Sequence, residues 1–377
     1  MAEPPSSIVK PLPEALLARQ DGNAEMHWAA MAGQGHLVPT DRFFVRNHTR
    51  TPVLDAGTWR LRLFGTGLRG APTRHTPIEF GYRDLRELPA EESVALIECA
   101  GNGRRFFASQ QGEPAPGAPW GLGAVGVARW RGVRLSTVLH RAGLTDAAVD
   151  VQPEGLDPEY VTGGVNLGRV RRPLPIGKAL HDVLLAYEMN GRPLPADHGF
   201  PVRVVVPGWV GISSVKWVGS IEVSATPLFS PWNTRLYRMF GPGQPDGAGV
   251  PLAAVGVKSA FELPWDARVP GGREVVLRGR SWSGHGPIRS VEVSIRPDDA
   301  DADDWRPARL VAADRGGAWQ RWRFRWRPPA PGRWILRARA TDATGAGQAD
   351  RATANDLGYL FDGIVRHPVT VLAPPPA

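Results

Sequence analysis

The sequence predicts an α+β domain followed by an all-β sandwich, and three observations carry that expectation. Between Phe43 and about Leu228, short strand patterns alternate with a few helical ones. A stretch rich in glycine and proline, Phe240 to Leu252, interrupts that alternation. Beyond it only strand periodicity remains. A chain of 377 residues also exceeds the usual single-domain size. The expected layout is an arm over 1–40, a first domain over 41–245 and a second over 246–377.

The arm is rich in Pro and Ala, with a short helical pattern from Leu12 to Arg19. In the first domain, Trp59, Leu61 and Leu63 alternate with Arg60 and Arg62, the pattern of a strand buried on one face. Leu135, Val138, Leu139 and Ala142 follow helical spacing, and Gly143 is placed to end that helix. Val202, Val204 and Val206 give another strand, closed by Pro207 and Gly208.

In the second domain, Val291, Val293 and Ile295 alternate with Ser290, Glu292 and Ser294. Trp322, Phe324 and Trp326 alternate with Arg321, Arg323 and Arg325. Further strands are expected at Glu274–Arg280, Trp334–Thr341 and Pro368–Leu372. The five aspartates of Asp298 to Asp304 read as an exposed hairpin loop rather than a metal site.

Composition narrows the function. The hydrophobic share of 42% and charged share of 22% are those of a folded globular protein. No apolar run approaches the ~18 residues of a membrane span, so no membrane association is expected. Met1 to Lys10 lacks the pattern of a secretory leader, which makes the cytoplasm the expected compartment. The net charge of +8 comes mostly from scattered arginines without the contiguous tracts of a nucleic-acid arm. A basic nucleic-acid-binding protein is therefore the weaker alternative. The single cysteine excludes an internal disulfide, a cysteine-rich zinc site, a multi-thiolate iron–sulfur cluster and a CxxCH heme attachment.

Gly121, Gly123 and Gly126 match a dinucleotide-binding fingerprint by letter. The fingerprint needs a strand immediately before it and a helix after it, whereas Gly112 to Trp120 is dominated by Pro and Gly. The segment Ile97-Glu98-Cys99-Ala100-Gly101-Asn102-Gly103-Arg104-Arg105 differs in kind. A strand ends at a thiol, followed by small residues and two arginines. Such cations favour the thiolate, a soft donor suited to a transition metal or to nucleophilic attack.

That segment, together with Phe43-Phe44-Val45-Arg46-Asn47-His48 and the long stretch from Val183 through His198 and Arg203 to Val215-Lys216-Trp217, resembles the sulfite oxidase family. The motifs occur in that family's order, and the likeness covers most of residues 40 to 240. It is closest to heme-free bacterial members. The strand-rich part is similar to the family's immunoglobulin-like dimerisation domain.

The resemblance implies a molybdenum–molybdopterin cofactor, one per chain and without heme, with Cys99 as the metal ligand. His198 and Arg203 match positions that hold the pterin phosphate, and Asn47, His48, Asp157, Ser214, Val215 and Lys216 match those contacting the rest of the cofactor. Arg46 and Arg104 match arginines of an anion pocket beside the metal. The implied reaction is oxidation of sulfite to sulfate, with electrons passed to an external acceptor such as a cytochrome or oxygen, in a homodimer. Oxidation of sulfane sulfur, or reduction of another oxyanion such as nitrate, is the alternative on the same cofactor.

Three departures stand out. The family's tyrosine is expected near Val170, where Gly168 to Arg172 offers none, leaving open a role there for Arg169, Arg171 or Arg172. Gly211-Ile212-Ser213-Ser214 stands where the animal enzyme has an arginine, and Gly103 interrupts an Asn-Arg-Arg run.

Overall fold

The computed structural model describes residues 8–20, 22–241, 249–311 and 318–373. Two five-stranded groupings build the first part of the chain. One sheet runs, edge to edge, Leu174–Pro175, Asp150–Gly155, Val218–Ser224, Arg60–Phe64 and Ile78–Gly81. The other runs Arg192–Pro193, Leu184–Met189, Val125–Arg134 and Ala90–Glu98, with Arg203–Val205 also pairing with Leu184–Met189.

Alternation decides which face each strand buries. Leu61 and Leu63 are fully buried while Arg60 and Arg62 face solvent. They meet Val133, Leu185, Val204 and Ile221 in one core, each such side chain contributing roughly 1.5–3 kcal/mol by leaving water. The helix Leu135–Arg141 turns Leu135, Val138 and Leu139 into that core, and Gly143, at φ +83°, follows its cap. The other face of the second sheet packs Val125, Val127 and Trp130 against the arm and against Trp282 and Phe361.

The expected helix over Leu12–Arg19 does not form. Leu16 and Leu17 close a single turn onto the Pro13 carbonyl, and Leu17–Gln20 then pairs antiparallel with Asn23–Met26. One turn is too short to propagate as a helix, whereas the hairpin buries Leu17 and Met26 in the core.

The later part is a β-sandwich. A four-stranded sheet of Lys258–Phe261, Val275–Trp282, Gln320–Trp326 and Arg309–Leu310 faces a five-stranded sheet of Ala267–Pro270, His367–Leu372, Gly332–Asp342, Ile288–Pro297 and Arg306–Pro307. Trp322, Phe324 and Trp326 point inward with Val291, Val293 and Leu336, while Arg323 and Arg325 are exposed.

Most of the glycine- and proline-rich stretch lies outside the described residues; its flanks, Arg238–Met239 and Val250–Pro251, pair antiparallel. The Asp298–Asp304 loop joins two paired strands. Asp303 turns inward to accept from Ser294 and Arg337, with Arg296 at ion-pair distance (3.7 Å). No group of three metal-ligating side chains occurs among the described residues.

No helix among them is long and apolar enough to cross a membrane. No helix opens on Gly121 to Gly126, since a strand begins at Val125 and the Gly121 and Gly123 amides donate to the Glu25 carboxylate at 3.0 and 3.1 Å.

Candidate functional site

A pocket opens where the Cys99 strand, the Arg46 loop and the Ser214 loop converge. Cys99 follows Ala90–Glu98 directly, and its amide donates to the Ala124 carbonyl at 2.9 Å. Its own carbonyl accepts from Asn102, closing a turn that leaves the thiol half-buried at the pocket wall. Gly211 lets the opposite loop approach, because a side chain there would meet the Glu98 carbonyl at 2.9 Å.

Arg46, Asn47, His48, Asp157, His198, Arg203, Ser214, Val215 and Lys216, all expected from the sequence, line this pocket with Cys99. Their order in space follows simple bonding. Arg203 donates to the carbonyls of His198 (2.9 Å) and Ser214 (3.0 Å) and lies 5.0 Å from the Trp130 ring centroid. The Ser214 hydroxyl accepts from the Val206 amide at 3.0 Å. Lys216 donates to Asn47 Oδ1 and to the Asp197 carbonyl. The Asn47 amide donates to Asn23 Oδ1 at 2.6 Å, tying the pocket to the arm.

Burial weakens most of these charges. It pulls Arg203 down to about 9 and pushes Asp157 up to about 6. Lys216 is held well below an ordinary lysine, first by burial and then by Arg203. His48 and His198 are both held far below the usual imidazole range, again by burial first and then by neighbouring cations. Each is therefore a neutral ring at physiological pH. His198 stacks edgewise on Phe43 at 5.4 Å, and its Nε2 is buried with no hydrogen-bond partner among the described residues. Asp157 Oδ1 is in the same state. Orphaned buried polar atoms are uncommon in a folded chain and require an account.

Arg104 is placed differently from the expectation. It is not among the lining residues. Its guanidinium donates to the carbonyls of Ala118 (3.0 Å) and Leu357 (3.2 Å) and packs against Gly101, beside the Cys99 turn. Gly168 to Arg172 holds no tyrosine, and Val170 itself lines the pocket; a phenol enters the wall from elsewhere, Tyr237, whose hydroxyl shares a 2.8 Å hydrogen bond with His48 Nε2. Burial pushes Tyr237 above an ordinary phenol, so it stays protonated.

None of the three nearby arginines takes a place in the wall. Arg172 donates to the Trp232 and Leu252 carbonyls, Arg171 pairs with Glu154, and Arg169 is exposed.

Asp197 was not singled out from the sequence, though it adjoins His198. Its carboxylate accepts from the Val9 and Lys10 amides (3.0 and 2.6 Å) and from Thr51 (2.5 Å), stapling the arm over the site. An acid beside a motif histidine was its only signal.

This fold and donor set define a molybdopterin-binding oxidoreductase domain: the family described as "Oxidoreductase molybdopterin binding domain" matches residues 48–232. The mouse mitochondrial sulfite oxidase is 37% identical over 312 residues, covering 79% of this chain and 54% of that protein. Chicken sulfite oxidase is 38% identical over 307 residues, covering 77% and 63%. The crystal structure of the sulfane dehydrogenase SoxCD from Paracoccus pantotrophus superposes with a TM-score of 0.75 at 26% identity, covering 91% of this chain and 82% of the other. The chain thus carries a molybdopterin-binding oxidoreductase domain similar to that of sulfite oxidases, and it spans less than two thirds of the length of these two curated relatives.

The residues present fit the cofactor such a domain holds. A half-buried thiol offers a soft metal ligand. The unpartnered His198 Nε2 and Asp157 Oδ1 offer contacts to a polar heterocycle or a phosphate. Arg203, Arg46 and Lys216 offer the positive charge that a phosphate requires.

Proposed function

We propose that the chain oxidises sulfite to sulfate on a molybdenum–molybdopterin cofactor, passing two electrons to an external acceptor, a cytochrome or oxygen. The observation that carries this reading is the joining, in one pocket, of a lone half-buried thiol with a cationic cluster and two orphaned polar atoms. When bound, the cofactor supplies two-electron redox chemistry with oxygen-atom transfer. Sulfite takes up one oxygen from water and releases two protons and two electrons.

In this reading Cys99 ligates the metal. His198 and Arg203 hold the pterin's phosphate, and Asn47, His48, Asp157, Ser214, Val215 and Lys216 hold the remainder. Arg46 lines the pocket and offsets the charge of the anion, which would be costly to desolvate alone. Tyr237, kept protonated, offers a neutral hydrogen bond to an anion's oxygen. Arg104 adds positive potential from beside the Cys99 turn. Residues 41–245 carry the cofactor in this proposal, and 246–377 form an immunoglobulin-like unit through which two copies pair in the cytoplasm.

The test is an anaerobic sulfite titration of protein produced with ample molybdate, following the visible sulfur-to-molybdenum absorption. Loss of the band at one equivalent supports the reading, and an intact band overturns sulfite as substrate. Arg46→Gln is expected to raise KM for sulfite by about 10- to 100-fold at unchanged molybdenum content. An unchanged KM would remove Arg46 from the anion's path. The likeness to a sulfane dehydrogenase structure favours oxidation of sulfane sulfur as the second reading, and a thiosulfate or persulfide titration with the same optical readout distinguishes it.

A further inference from the structure

Tyr237 is a constrained residue. Its φ of +54° lies in the left-handed region, unusual for an aromatic residue and a sign that its surroundings over-determine it. The hydroxyl end is tied to His48, whose ring packs on Trp232 at 4.6 Å and on Tyr160 at 5.3 Å. The carbonyl end accepts from the Leu252 amide at 2.9 Å. The remaining constraint comes from the far end of the chain. The Tyr359 ring stacks on the Tyr237 ring with centroids 5.2 Å apart and planes within 11°.

Tyr359 is itself held on every side. Its amide donates to Asn355 Oδ1 and its carbonyl accepts from Asn355 Nδ2, both at 2.8 Å. The next residue, Leu360, at φ +53°, donates its amide to the Ala100 carbonyl at 2.8 Å, one residue from Cys99. The Arg104 guanidinium carbon lies 5.5 Å from the Tyr359 ring centroid, and Arg104 Nε donates to Leu357 in the same turn. Two residues at positive φ, stacked rings and a reciprocal Asn355 bond are more constraint than a surface turn needs.

We infer that Tyr359, from the strand-rich part of the chain, is a positioning residue of the pocket, fixing Tyr237 so that its phenol addresses a small oxyanion beside Cys99, with Arg104 held behind the Cys99 turn by the same ring. The consequence for specificity rests on the sulfite reading above; the consequence for Tyr237 does not. Tyr237 and Arg104 both rest on the one Tyr359 ring, so one substitution moves both.

The test compares Tyr359→Leu with Tyr359→Phe in the full chain. Phe keeps the stack and the cation–π contact; Leu removes them. In protein labelled with ¹⁵N-histidine, the His48 ring signals, assigned through His48→Gln, report the Tyr237–His48 hydrogen bond without any cofactor or substrate. The expected result is that His48 Nε2 shifts to the value of an unbonded neutral ring in Tyr359→Leu and stays in place in Tyr359→Phe. In molybdenum-loaded protein, Tyr359→Leu is expected to raise KM for sulfite and weaken sulfate binding by about 10- to 100-fold, with Phe restoring both to within a few-fold of the parent. An unmoved His48 signal in folded Tyr359→Leu overturns the inference. A shifted His48 signal in a protein that binds neither sulfite nor sulfate keeps the positioning role and overturns the sulfite reading instead. Should Tyr359→Leu fail to fold, Tyr359→Met, which fills the space without a ring, takes its place with the same outcomes.

Discussion

Two buried charged clusters lie on either side of Cys99, and they are built on opposite terms. Behind it, Glu98 and Lys258, 1% and 2% exposed, form an ion pair at 2.7 Å. Glu98 also accepts from Asn102 Nδ2 and Trp282 Nε1, both at 2.8 Å, and Lys258 donates again to the Asn102 carbonyl. No buried side-chain polar atom of that cluster lacks a partner, across the joint between the Cys99 strand and the sandwich. In front of Cys99, Arg203, His198 and Asp157 are buried and Lys216 half-buried, yet cations outnumber acids and two polar atoms have no partner among the described residues. A saturated cluster holds a fold together. An unsaturated one, retained at a cost to stability, is a binding site.

That contrast can be broken most forcefully on the saturated side. Lys258→Met strands the Glu98 carboxylate and is expected to lower stability by about 3–5 kcal/mol, read from the denaturant midpoint. Adding Glu98→Gln, which keeps an acceptor for Trp282 and Asn102, should recover most of that loss. A single substitution with no effect would mean the pair is not buried in solution.

The unsaturated side should respond in the opposite direction. Asp157 titrates near 6 when folded against 3.8 when free. The folded cofactor-free chain therefore binds the extra proton between those values, and its stability falls as pH rises through them. Asp157→Asn escapes that loss. It should match the parent near pH 4 and exceed it by about 2–3 kcal/mol at pH 7.5. Equal stabilities at both pH values would show that Asp157 is not desolvated.

The smallest expected effect is the most discriminating. His198→Leu replaces a ring whose Nε2 bonds to nothing in the described chain, so the cofactor-free protein should change by no more than about 0.5–1 kcal/mol in thermal or denaturant unfolding. A loss of several kcal/mol would place His198 with the saturated cluster.

The same division separates what was legible in the sequence from what was not. Strands showed through where one face is buried and the other wet, as at Leu61 and Leu63 against Arg60 and Arg62. The segment Leu12–Arg19 misled because its spacing fits a helix while its hairpin partner, Asn23–Met26, carries no alternation, all four residues being buried. Site residues showed through where they sit in contiguous motifs, as Cys99, Arg46 and His198 do. Tyr237 and Tyr359 did not, because their role comes from a ring stack and from bonds to His48 and Asn355 that no local pattern records. Lys258 reaches Glu98 across 160 positions of chain. Long-range pairing of that kind is set by the packing of the sandwich on the first domain, and the sequence states it only after the fold is known.

The central claim is that the unsaturated cluster exists to hold a molybdenum–pterin. Its most direct test is the molybdenum and pterin content of the parent and of His198→Leu, purified from the same molybdate-supplied cells. The account predicts a loaded parent and a variant with at least a tenfold lower content at an unchanged unfolding midpoint of the cofactor-free form. Equal loading of the two proteins, or a parent that carries no pterin, would contradict it.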